Sequence, residues 1–163
     1  TNALASKENM RTQSFAQKLC VSAKGDVDRI KNATLEDGQK GLLFSLSNHK
    51  VLYANGIYDK VYPASITKIM TAMLALQSGK LDDMVTITQE NVTLEEGSQV
   101  CGFVAGDQVT LDQLLHCLLV YSGNDAASAI AEYVGGTTEN FVQMMNDYAA
   151  RLGCTGTHFR SRR

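Results

Sequence analysis

The sequence predicts an α+β fold, on two observations. Strand-like runs form a hairpin pattern in the first half, and helical periodicity dominates the second half. Gly41-Leu42-Leu43-Phe44-Ser45-Leu46 and Val51-Leu52-Tyr53-Ala54 are short apolar runs separated by Ser47-Asn48-His49-Lys50, whose Asn tolerates turn geometry. Apolar runs flanking a polar turn read as a β-hairpin.

Upstream, residues 1–40 form a polar N-terminal segment. Phe15 to Val21, then Val27 and Ile30, give it helical turns, and Glu36-Asp37-Gly38-Gln39 is a turn. Beyond the hairpin, the first long helix begins near Ser65. Ile66, Ile69, Met70, Met73 and Leu74 fall on one face, with Ala72 and Ala75 on the flanks, so the helix should be buried on most sides. Pro63 lies just upstream, where it breaks no ladder, and Gly79-Lys80 supplies a C-terminal stop and a cation that suits the helix dipole.

Val85 to Thr88 and Val100 to Val104 read as short extended pieces, and Gly106-Asp107 as a turn. Thr110 followed by Gln113 is a capping box. It opens a helix with Leu111, Leu114, Leu115, Leu118 and Leu119 on one face. Ser122-Gly123-Asn124-Asp125 is turn chemistry, a further helix runs to about Val134, and Gly135-Gly136 closes it. The last helix starts after Thr137-Thr138, places Phe141, Met144, Met145, Tyr148 and Leu152 on its core side, and ends at Gly153.

Composition narrows the classes. The chain has 163 residues, 44% of them hydrophobic and 20% charged, which fits one globular domain or a large fragment of one. A formal charge of −2 gives no electrostatic footprint for nucleic acid. No apolar run reaches the about 18 residues that a membrane-spanning helix needs. The polar start, Thr1 to Arg11, has no apolar stretch of signal-peptide type, so the protein is cytosolic or a signal has been removed. Cys20, Cys101, Cys117 and Cys154 are scattered without a C-x-x-C pair, and are read as buried free thiols. Asn32-Ala33-Thr34 and Asn91-Val92-Thr93 match the glycosylation tripeptide, which arises often by chance.

Ser65 and Lys68 are the first candidates for chemistry. A serine hydroxyl is a weak nucleophile until a base takes its proton. One helical turn apart, the two side chains share a face. Lys68 serves as that base when an apolar wall, here Ile66, Ile69 and Met70, favours its neutral form. The helix N-terminus at Ser65 favours the anion formed when a carbonyl is attacked. The bland alternative makes Ser65 an N-cap and Lys68 a snorkelling surface cation. Ser47 and Lys50 share the spacing, but in a hairpin turn where nothing buries the lysine. Ser122-Gly123-Asn124 adds a hydroxyl and a carboxamide at a second helix boundary, in a turn that could equally be an ordinary connection.

In this order, S-x-x-K followed by S-x-N resembles the serine penicillin-recognising enzymes. Tyr62-Pro63-Ala64-Ser65-Ile66-Thr67-Lys68-Ile69-Met70-Thr71-Ala72 is similar to the active-site helix of low-molecular-weight penicillin-binding proteins, the serine-type D-alanyl-D-alanine carboxypeptidases. Leu115 to Ala131 resembles their second motif, and Gly153 to Phe159 the segment after the next helix. The match covers about residues 41–159, read as a partial catalytic domain, with 160–163 an atypical basic tail.

The resemblance implies a penicillin-binding-protein/β-lactamase-like transpeptidase fold. It implies that Ser65 attacks the penultimate D-alanine carbonyl of a peptidoglycan stem peptide, that Lys68 takes its proton, that Ser122 relays a proton to the leaving amine, and that Asn124 orients Lys68 and binds the substrate amide. Water then releases the acyl group. β-Lactams would acylate the same serine. No metal or organic cofactor is implied, and the setting is extracytoplasmic.

The third family motif, Lys-Thr-Gly, does not occur. Thr155-Gly156-Thr157 follows Cys154 rather than a lysine, and after Phe159 the chain reads Arg160-Ser161-Arg162-Arg163. The expectation is a truncated or frame-altered chain: a helical subdomain with a partial sheet, the C-terminal strands missing, and little or no activity. In the family the third motif lies on an inner strand and brings a cation for the substrate carboxylate and one oxyanion donor. Losing such a donor costs roughly a hundred- to thousandfold in turnover. The hairpin would keep an open edge and an uncovered apolar face. A separate C-terminal chain or a strand-exchanged copy would complete it. The alternatives are a class A β-lactamase, disfavoured because Glu132 and Glu139 lie inside predicted helices, and a catalytically dead fragment.

Overall fold

A computed structural model describes residues 24–31 and 33–161. The helical turns expected at Phe15 to Val21, Cys20, and the tripeptide at Asn32 lie outside the described residues. The chain divides into two compact units after Val61.

In the first unit, β1 (Val27–Asp28), β2 (Gly41–Ser45) and β3 (Lys50–Asn55) form an antiparallel sheet in the order β1-β3-β2. The expected hairpin is β2–β3, with Leu42 opposite Ala54 and a bulge between Leu43 and Phe44. Val27 and Ile30 were expected in helical turns. Instead Val27 pairs with Ala54, and Ile30 lies in a bend beyond the strand. The Asp26 carboxylate accepts the Gly56 amide at 3.0 Å and ties the start of β1 to the end of β3. Lys40 and Asp59 pair at 2.6 Å, a contact that raises the lysine's pKa. Among the described residues β2 keeps an unpaired edge, and the adjacent Leu42 and Leu43 are both exposed. Because successive strand residues point to opposite faces, neither face of this strand is fully covered.

The second unit is mainly helical. Its elements are α1 (Lys68–Ser78), β4 (Met84–Thr86), α2 (Gln89–Val92), β5 (Gln108–Thr110), α3 (Leu111–Val120), α4 (Asn124–Gly135) and α5 (Thr138–Arg151). β4 and β5 form a small antiparallel ladder with Val85 opposite Val109. Leu74, Ala75, Val85, Ile87, Leu111, Leu114, Leu118, Ala126, Ile130 and Phe141 make one buried cluster. The capping box is present: Thr110 Oγ1 accepts the Gln113 amide at 3.1 Å, and Gln113 Oε1 accepts the Thr110 amide at 2.9 Å. Between α4 and α5 the backbones nearly touch, because a side chain at Gly135 would meet the Phe141 amide nitrogen at 2.7 Å.

Helix α1 departs from its expected burial. Thr71, Ala72, Leu74 and Ala75 are buried, whereas Ile66 and Ile69 are 66% and 57% exposed. Close packing against α3 and α4 is made through the small side chains, since the approach distance of two helices is set by the residues at the contact. Leu119 and Leu152, also expected in the core, are exposed at the ends of α3 and α5. Val100 to Val104 makes no ladder, and β5 and α2 carry too little periodicity to be seen in the sequence. Among the described residues no helix is long and apolar enough to cross a membrane. Phe141 is 1% exposed at the centre of the unit. Phe141→Ala is expected to cost about 3–5 kcal/mol, read as a lower urea midpoint with an unchanged slope.

Candidate active site

The site lies wholly in the second unit, where two helix starts meet. Ala64–Thr67 forms a 3₁₀ turn, and α1 begins at Lys68, three residues later than the periodicity alone predicts. Ser65 is not an N-cap: neither Pro63 before the 3₁₀ turn nor Thr67 before α1 makes a side-chain capping bond, and Ser65 lies inside the turn. Its side chain is exposed, and Lys68 is half-buried. Opposite them, α3 ends at Val120 and α4 starts at Asn124, leaving Ser122 and Gly123 as the turn.

Four side chains named from the sequence converge here. Ser122 Oγ donates to Ser65 Oγ at 3.1 Å. Lys68 Nζ lies 3.5 Å from Ser65 Oγ and donates to Asn124 Oδ1 at 3.0 Å. The serine oxygen therefore faces a hydroxyl on one side and an amine on the other. Ser47 lies on the hairpin turn of the first unit and Lys50 opens β3, both exposed, with Ser47 bonded to Ser45. The apolar wall expected around Lys68 is partial, because Ile66 and Ile69 turn outward and Met70 is half-buried.

Both serines lie beside strained backbone. Ala64, just before Ser65, has φ 48°, and Ser122 has φ 62°. A non-glycine residue in the left-handed region costs about 1–3 kcal/mol and persists only where its surroundings hold it. Around the Ser122 turn, Asp125, Gln99 and Gly123 do the holding. The Asp125 carboxylate, 1% exposed, accepts the amides of Cys101 at 2.8 Å and Gly102 at 3.0 Å, and more distantly that of Phe103. Gln99 binds on either side of the Ser122 turn. Gly123 has no room for a side chain, since its Cβ would fall 2.4 Å from Cys101 Sγ. The one sequence signal for this network is an acidic residue directly after S-x-N.

The described cysteines are free, as expected, but not buried: Cys101 and Cys117 are half-buried and Cys154 is exposed. Desolvation, the adjacent Cys117 thiol and the Asp125 charge push the Cys101 thiol up to about 12. It stays protonated at neutral pH. Iodoacetamide at pH 7 should alkylate Cys154 at least about a hundredfold faster than Cys101, measured by peptide mass. The tripeptide at Asn91 is not a surface acceptor. Asn91 is 2% exposed, and its amide donates to Glu132 at 2.6 Å.

A hydroxyl between a lysine amine and a second hydroxyl, with a carboxamide holding the amine, is placed to exchange its proton with either neighbour. The family model of the peptidase S11 D-alanyl-D-alanine carboxypeptidases matches residues 30–162, and the chain belongs to that family. It is 38% identical over 135 residues to D-alanyl-D-alanine carboxypeptidase DacC of Escherichia coli, covering 77% of this chain and 34% of that protein. It is 36% identical over 144 residues to DacF of Bacillus subtilis, covering 85% and 36%. Among solved structures, DacD from Francisella tularensis superposes with a TM-score of 0.71 at 32% identity, over 85% of this chain and 34% of that one. Penicillin-binding protein 6B from Escherichia coli superposes at 0.63 with 35% identity, over 69% and 38%. The fold is that of the penicillin-binding transpeptidases, matched over a part of it. The chain spans about a third of the length of the curated relatives it matches.

Proposed function

We propose that Ser65 is the nucleophile of a D-alanyl-D-alanine carboxypeptidase that cleaves peptidoglycan stem peptides outside the cytoplasm and is acylated by β-lactams. The observation that carries this reading is the position of Ser65 Oγ, 3.5 Å from Lys68 Nζ and 3.1 Å from Ser122 Oγ. In the proposed reaction neutral Lys68 takes the Ser65 proton as Oγ bonds to the penultimate D-alanine carbonyl carbon. Ser122 passes its proton to the departing amine of the terminal D-alanine and takes the proton held on Lys68 in its place, so the lysine amine is neutral again. The C–N bond breaks, and an ester on Ser65 remains. Asn124 keeps the Lys68 amine in line and offers its amide to the substrate backbone. Water, deprotonated by the same amine, then cleaves the ester and restores Ser65.

The four residues make the nucleophilic half of such a site. The third motif of the family is not in these 163 residues. A complete site of this family also uses the cation and oxyanion donor of that motif.

A class A β-lactamase reading has less support. Such enzymes need a glutamate free to activate water near the acyl group. Glu132 is engaged by Asn91 and Thr88, and Glu139 lies in the first turn of α5. Incubation with penicillin, followed by intact mass, separates the readings. A long-lived adduct supports the carboxypeptidase, rapid release of hydrolysed drug supports the β-lactamase, and no adduct means that this chain does not perform the first step.

A further inference from the structure

The structure assigns Gln99 as a positioning residue for the acyl transfer proposed above, and the inference rests on that reading. Gln99 spans the strained turn. Its side-chain Nε2 donates to the Tyr121 carbonyl at 2.7 Å, directly before Ser122. Its main-chain carbonyl accepts the Asn124 backbone amide at 2.8 Å, directly after Gly123. One residue therefore grips both ends of the segment that carries the Ser122 hydroxyl.

The same carbonyl also accepts Asn124 Nδ2 at 3.1 Å. This contact decides which way the Asn124 amide faces. With its nitrogen committed to Gln99, its oxygen is presented to Lys68 Nζ at 3.0 Å. A flipped amide would turn its oxygen toward the Gln99 carbonyl and set two acceptors against each other. Gln99 thus acts on Ser65 through two arms: Asn124 and Lys68 on one side, Ser122 on the other.

The grip is anchored from behind. Residues 101 and 102 donate to the buried Asp125 carboxylate, so the strap beginning at Gln99 is fixed to the first turn of α4. Gln99 is itself exposed and contributes nothing to the buried cluster. A residue of that kind can be replaced without opening the core.

The test compares Gln99→Ala and Gln99→Glu with wild type in the full chain. The first readout is the rate of acylation by a fluorescent penicillin as a function of its concentration. The limiting first-order rate constant is expected to fall about tenfold or more in both variants, with the half-saturating concentration changed by less than about twofold and the urea midpoint unmoved. Glutamate keeps the size of glutamine but has no N–H for the Tyr121 carbonyl, so it should behave like alanine. The second readout is hydrogen exchange at the Gly123 backbone amide, which lies inside the gripped segment and donates to the Cys117 carbonyl at 3.2 Å, expected to quicken by at least about tenfold while the Phe141 amide is unaffected. Wild-type acylation rates in either variant would overturn the assignment while leaving Ser65 as nucleophile. Should wild type itself take no label, the acyl-transfer reading fails, and exchange decides: unchanged Gly123 protection overturns the grip, and lost protection supports it.

Discussion

Lys68→Ala is expected to slow β-lactam acylation of Ser65 by about a hundred- to ten-thousandfold, the range over which a general base contributes. Among the described residues the lysine amine is one of two side-chain groups bonded to the serine oxygen, and the other, Ser122, is a hydroxyl that is no base near neutral pH. The alanine variant should remain folded, because Lys68 is half-buried at the first position of α1 and is not part of the buried cluster. Lys50→Ala is the matched control. It removes the lysine of the other S-x-x-K, on an exposed hairpin, and should leave acylation at the wild-type rate. Time-resolved intact mass of the three proteins checks both statements.

The second large effect is on stability. Asp125→Ala is expected to cost about 3–5 kcal/mol, because it strands backbone donors at Cys101 and Gly102 and each unsatisfied buried donor costs about 1–3 kcal/mol. That is a large share of the about 5–15 kcal/mol that holds a typical domain together. Urea unfolding followed by circular dichroism measures it. A loss under about 1 kcal/mol would mean that water replaces the carboxylate and that the strap is not fixed by it.

What could be read in the sequence was what is local. Thr110 and Gln113 satisfy each other within one turn, so the start of α3 was legible from four residues. Ser65, Lys68, Ser122 and Asn124 were legible because two short motifs each fix a side-chain pair. That they meet is a matter of packing: Lys68 and Asn124 are 56 positions apart. The rest was hidden for physical reasons. Gln99 acts partly through its backbone carbonyl, which every residue has. Asp125 binds main-chain amides 24 positions away, and no side-chain pattern announces such partners. Val27 is a strand only because β3 lies beside it. Ile66 and Ile69 satisfy the helical period, yet periodicity marks a face as apolar without saying which neighbour covers it. Helix α1 buries Ala72, Leu74 and Ala75 and leaves Ile69 and Leu76 outside.

Which atom a penicillin acylates decides whether Ser65 is the nucleophile. Tandem mass spectrometry of the proteolysed adduct should place the added mass on the peptide containing Ser65, with fragment ions assigning it to that residue. An adduct on Ser47, Ser122 or a cysteine, with Ser65 unmodified, would contradict it.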